Sequence, residues 1–168
     1  MQMNISDAEA KSLLRLLKDY PDLGSLRQRI ELDYPDKLAV PLPKSGFQLG
    51  AASLQRLAGV HPDLIRVVKR AIEITPIDFT VLEGLRSRER QRQLVAKGAS
   101  KTMNSRHLTG HAVDIAPLVN GKVSWDWQYY HPLAAAVKQA AREVGVIVEW
   151  GGDWAKFKDG PHWQLPRA

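Results

Sequence analysis

The sequence predicts an α+β fold, with helices lying beside an antiparallel sheet. Three observations carry that expectation. Stretches with apolar residues at helical spacing are interleaved with short β-type runs, in the order helix, strand, helix, hairpin, helix, strands. Asn120-Gly121 is a strong two-residue hairpin signal, with Leu118-Val119 and Lys122-Val123 placed to flank the turn. From His111 to Ala116 the side chains alternate in strand fashion, Ala112, Asp114 and Ala116 on one face and Val113 and Ile115 on the other. At 168 residues the chain is one ordinary domain with a small appendage, large enough to bury a core without covalent staples.

The appendage comes first. Ser6 and Glu9 form a capping box for a helix running to about Lys18, showing Leu13, Leu14, Leu16 and Leu17. Pro21 and Gly24 interrupt it, and a shorter helix is expected from Ser25 to Leu32. Neither helix is stable alone. With no aromatic platform, the segment reads as a structural extension in preference to a binding or targeting module. Pro35, Pro41 and Pro43 mark an extended connector, so residues 1–43 are separated from a main domain spanning 44–168.

In the main domain a short helix is expected near Ala51 to Leu57. His61-Pro62 opens the next, which continues to about Ile74 with Leu64, Val67, Val68, Ala71 and Ile72 on its apolar face. Asp78 to Glu83 is a β-type run. Ser87 caps a helix that ends before Gly98. His131-Pro132 is expected to open another helix, with Leu133, Ala136, Val137, Ala140, Ala141 and Val144 inward and Gly145 as its stop. Val146 to Trp150 then reads as a buried strand, and Trp163 to Leu165 as the last. His61 and His131 are read as helix-start residues and not as ligands. All five tryptophans fall in the final third, where core filling is the commoner role; Trp154 is the one expected near a substrate.

The chemistry concentrates in SRHLTGHAVD, Ser105 to Asp114. Imidazole and carboxylate both suit a borderline metal such as zinc. Seven residues in a straight strand would separate His107 from Asp114 by over ~20 Å, so the chain must fold back between them, and Thr109-Gly110 is the natural bend. His111 has the opposite strand phase to Asp114 and should point away from the metal. In DGPHW, Asp159 to Trp163, His162 completes a His/Asp/His set that leaves a fourth tetrahedral position for water. Asp159, across a Gly-Pro turn, can serve as general base.

These motifs resemble a known family. SRHLTGHAVD is similar to the Ser-x-His-x-x-Gly-x-Ala-x-Asp signature of zinc D-Ala-D-Ala carboxypeptidases and dipeptidases and of their relatives, the L-alanyl-D-glutamate endopeptidases of phage lysins. DGPHWQL resembles the segment that supplies the family's base and last ligand. Gly84 to Ser87 resembles the segment whose arginine faces the substrate carbonyl, which points to Arg86 over Arg88. The likeness runs from about Phe47 to Leu165 and is nearest the phage endolysin branch, where a form of WGGDW (Trp150 to Trp154) recurs. It implies the fold shared by D-Ala-D-Ala peptidases and the hedgehog signalling domain. It further implies Zn2+ on His107, Asp114 and His162, with Asp159 and Arg86 catalytic, acting on the peptidoglycan stem peptide.

There are no cysteines, so disulfides and thiolate zinc sites are excluded. No apolar run is long enough to span a membrane, and no secretory signal is visible. The resemblance therefore implies a monomer held in the host cytoplasm until a separate holin releases it to the wall. The net charge of +6 favours polyanions, but no nucleic-acid-binding motif accompanies it. The rivals are a D,D-carboxypeptidase or dipeptidase, for which the sequence offers no evident terminal-carboxylate clamp, and a non-catalytic zinc module. Asp159 and Arg86 argue against the second, since a structural zinc needs neither.

Overall fold

The apolar stripe between Leu64 and Ile72 is long enough to demand a sheet to cover, and the fold supplies one. In the computed structural model, which describes residues 45–167, helix α1 spans Ala51–Arg56 and helix α2 spans Pro62–Ile74. His61 is the N-cap of α2, its ring accepting a hydrogen bond from the Asp63 N–H. Strand β1, Phe79–Glu83, leads through a short turn to α3, Arg88–Ala96, capped by Ser87. A 3₁₀ turn at Arg106–Thr109 precedes strand β2, Ala112–Val119. The Asn120-Gly121 turn, both residues at positive φ, returns the chain into β3, Lys122–Val123. Helix α4, Trp127–Val144, strand β4, Glu149–Trp150, and strand β5, His162–Gln164, complete the domain. The expected N-terminal helices and the 1–43 boundary lie outside the described residues.

All pairings are antiparallel, in the order β1-β2-β5-β4, with β3 on the far end of β2. Helices α2 and α4 pack together on the sheet. Leu64, Val67, Val68 and Ala71 meet Leu133, Val137 and Ala140 over Phe79, Val81, Val113 and Ile115, all buried. Ala112 and Ala116 are buried as well, so alternation along β2 is one of side-chain polarity more than of burial. On their face, Asp114 alone carries charge. The register sets Asp114 beside His162 on one neighbour and beside Glu83 on the other, a polar row across three strands.

Two expectations are corrected. Helix α4 starts at Trp127, not at His131-Pro132, because Asp126 is the N-cap and accepts from the Gln128 N–H. Pro132 lies inside the helix near its N-terminal end, where its missing N–H costs a single intrahelical bond. His131 is thus an exposed helix residue, its ring 5.7 Å from that of Trp127 and 5.9 Å from that of Trp150. The run Val146 to Trp150 contributes only Glu149–Trp150 as strand, and Ile147 is 78% exposed. Its apolar letters mark a connection with one side on the core, Val146 and Val148 being partly buried there.

Candidate metal centre

His107 reaches the sheet because the chain turns sharply after it. Gly110 ends the 3₁₀ turn at φ +71°, and a Cβ there would meet the Gly59 carbonyl oxygen at 2.3 Å. The bend expected at Thr109-Gly110 therefore depends on glycine for its angle and for close backbone packing. The fold-back buries His107 fully beside Asp114. Its Nε2 lies 3.2 Å from Asp114 Oδ1 and 3.3 Å from His162 Nδ1, and His162 Nδ1 lies 3.2 Å from the same Asp114 oxygen.

The ring nitrogens turned away from this point define its chemistry. His107 Nδ1 is 2.8 Å from the Gly84 carbonyl oxygen, which can only accept, so Nδ1 carries the proton and Nε2 offers its lone pair inward. The Gln164 amide donates Nε2–H to Glu149 at 2.6 Å, which turns its Oε1 toward His162 Nε2 at 3.0 Å. His162 thus holds its proton on Nε2 and presents the Nδ1 lone pair. Two lone pairs and a carboxylate oxygen meet at one point with no hydrogen between them, a donor set that a cation satisfies. The edges of a tetrahedron of N and O ligands around zinc are about 3.3–3.4 Å long, so the three spacings fit the group. Each ligand ring also has the outer hydrogen-bond partner that metal-bound histidines use.

Burial pushes the Asp114 carboxyl pKa up, but whenever an inner ring nitrogen of His107 or His162 carries a proton, its hydrogen bond and charge overcome this and hold the carboxyl below the ordinary carboxylate range. Asp159 goes the other way. Burial, with the Asp114 charge second, pushes its carboxyl above the usual value despite the nearby imidazoles. It faces the same cleft as the triad without belonging to it. Gly151 makes room for this loop: a Cβ there would lie 2.5 Å from the Asp159 carbonyl oxygen.

Arg86 sits at the strand-to-helix turn, its N–H on the His107 carbonyl. Its side chain is 8% exposed, paired with Glu83, donating Nη1–H to Gln91 Oε1 at 2.8 Å and holding Nη2 3.6 Å from Asp114 Oδ2. Nε is buried with no partner among the described residues. Trp154 lies over the site, its ring 5.2 Å from that of His162. A cleft of about 540 Å³ is lined by the triad, Glu83, Arg86, Trp154 and Asp159.

The phage L-alanyl-D-glutamate peptidase family model matches residues 45–164, the whole of this architecture but its last residues. The chain belongs to that family. It is similar to the L-alanyl-D-glutamate peptidase of Escherichia phage T5, 38% identical over 112 residues, 64% of this chain and 82% of that protein. It is similar to the peptidoglycan L-alanyl-D-glutamate endopeptidase CwlK of Bacillus subtilis (strain 168), 33% identical over 113 residues, 58% of this chain and 66% of that one. The crystal structure of the L-Ala D-Glu endopeptidase ChiX from Serratia marcescens superposes with a TM-score of 0.66 at 56% identity, covering 69% of this chain and 87% of that one. An endopeptidase fold of mixed helices and antiparallel sheet is therefore correct for this chain.

All five site residues expected of this peptidase family line the one cleft, while His61, His111 and His131 stay out of it. Sequence reasoning missed Gln91, which is fully buried. Its Nε2 donates to Ser100 Oγ and Thr102 O while its Oε1 accepts from Arg86, so it ties the 98–102 loop to the arginine. In the polar run RERQRQ, Gln91 carried no signal beyond its i, i+4 offset from Ser87. The basic residues Lys101, Arg106 and Arg167 on the cleft wall were also missed, because they come together only in three dimensions.

Proposed function

We propose that this protein is a zinc-dependent peptidoglycan endopeptidase that hydrolyses the L-alanyl-D-glutamate bond of the stem peptide. The observation that carries this reading is that His107 Nε2, His162 Nδ1 and Asp114 Oδ1 lie 3.2–3.3 Å from one another, while the outer ring nitrogens face the Gly84 carbonyl and Gln164 Oε1. The names of the T5, Bacillus and Serratia relatives support the choice of bond. His107, Asp114 and His162 hold the ion, which when bound supplies Lewis acidity to water and to a peptide carbonyl.

The remaining steps belong to the chain's own groups. Asp159, its pKa raised by burial, takes a proton from the attacking water and delivers it to the leaving amine. Arg86, fixed by Glu83 and Gln91, offers positive charge to the oxygen that becomes anionic. Trp154 covers His162 and limits access of bulk water. Activity resides in residues 44–168, and residues 1–43 act as a structural extension. No helix among the described residues is long and apolar enough to cross a membrane, and a separate holin gives the monomeric enzyme access to the wall from the host cytoplasm.

Digestion of purified peptidoglycan followed by mass spectrometry of the new termini tests the reading. It should yield new D-glutamate amino termini and no reducing sugar ends. Free D-alanine as the main product would replace the proposal with a carboxypeptidase.

A further inference from the structure

The cleft has two chemically different walls. Near the metal centre it carries Glu83, Asp114 and Asp159, and Trp154 and Phe157 form an aromatic side. The rest is built by the 98–106 segment and Arg167, and there the charged side chains are all basic: Lys101, Arg106 and Arg167. None of these three has a carboxylate partner among the described residues, whereas Arg86 is already matched by Glu83 and Asp114. The basic wall is braced. Arg106 Nη2 donates to the carbonyls of Leu165 and Pro166, both at 3.0 Å, and Arg167 Nη2 donates to the Asn104 carbonyl at 3.2 Å. Arg106 is used up as a brace, with Nε buried and unpaired. Lys101 and Arg167 remain exposed at the rim. Arg167 also lies beyond the 45–164 stretch matched by the family model.

We infer that Lys101 and Arg167 form a clamp for the free carboxylate of the glutamate that follows the scissile bond, and so determine specificity. The inference rests on the functional reading above. A glutamate linked through one carboxyl keeps the other as an anion. Beside Asp159 and Glu83 that anion is repelled, and on the basic wall it is matched by cations with no other carboxylate to serve. Orientation follows: the glutamate side of the bond lies along residues 98–106 and Arg167, and the alanine side, which carries the glycan, lies toward Trp154 and Phe157. The same clamp chemistry could hold a carboxylate at a chain end, so the test must separate the two sources.

Stem peptides are prepared in which the glutamate's free carboxylate and the C-terminal carboxylate are amidated in turn, and kcat/KM is measured for cleavage at the alanine–glutamate bond. For wild type, amidating the glutamate should lower kcat/KM by about tenfold, as for loss of a charge-assisted contact at a partly solvated site. Amidating the C-terminus should change it less than twofold. In the Lys101→Gln/Arg167→Gln double variant the acid-to-amide ratio at glutamate should fall to about one. Raising the ionic strength should shrink the wild-type ratio. A ratio near one in wild type, or one that survives in the double variant, overturns the clamp. A preference that follows the C-terminus reassigns it to a chain end. If wild type cuts none of the peptides at this bond, the functional reading itself falls.

Discussion

Two pairs of histidines in this molecule have their ring centroids 5.1 Å apart, and only one of them shares a carboxylate oxygen between its two rings. His107 and His162 are buried, meet edge-on and share the Asp114 carboxylate. His61 and His111 are half-buried, and each spends its chemistry locally. His61 Nδ1 accepts the Asp63 N–H as a helix cap, so its lone pair is taken. His111 Nδ1 is 2.9 Å from Thr109 Oγ1, whose hydrogen goes to the Arg106 carbonyl, so His111 donates there. The nearest carboxylate, Asp63, is held by Arg66 at 2.7 Å. Proximity of imidazoles is therefore not enough. What distinguishes the first pair is where each ring proton is parked.

The largest effect should come from breaking the first pair. His107→Ala or His162→Ala should abolish zinc uptake, measured by metal analysis of the purified protein, and with it wall lysis by a thousandfold or more. His61→Ala and His111→Ala should both bind zinc at one per chain. Zinc retained by either variant of the first pair would break the comparison.

Next comes Asp159→Asn, which keeps the size and removes the basic oxygen. Turnover should drop by ~10²–10⁴-fold with zinc content unchanged. Asp159 works as a base only when ionised, and burial raises its pKa above the ordinary carboxylate value. Activity should therefore be lost as pH falls through the Asp159 pKa, and the acid limb of the wild-type kcat/KM profile should report that group. Loss of zinc in this variant would instead make Asp159 a ligand.

A smaller effect sharpens the role of the outer partners. Gln164→Leu removes the acceptor that keeps the proton on His162 Nε2, and zinc affinity in a chelator competition should weaken by about 10–100-fold. The smallest effect belongs to the second pair: His61→Ala deletes a helix cap and should cost about 1 kcal/mol in denaturant unfolding, with zinc affinity unmoved.

Much of this was legible in one dimension, and the reason is local chemistry. The stripe Leu64 to Ile72, the Ser87 cap and the Asn120-Gly121 turn each specify their element through neighbours in sequence. The meeting of His107 with Asp114 was legible because the motif between them fixes the bend at Gly110. The start of α4 was not, since Pro132 is a stronger letter than the true cap, Asp126. Gln91 and the Lys101/Arg167 wall were invisible because each depends on partners far along the chain.

The polar row across β1, β2 and β5 also bears on durability. An ion on His107, Asp114 and His162 cross-links the middle of the chain to a final strand of three residues, closing a loop of 55 residues, from 107 to 162. A chain without cysteine has no covalent way to do this. Closing a long loop removes freedom mainly from the unfolded ensemble, and a dissociable cross-link does so in proportion to the free ion. With an ion held there as proposed, the concentration of free metal would govern how long the C-terminal end resists unravelling and proteolysis, as well as whether the enzyme turns over.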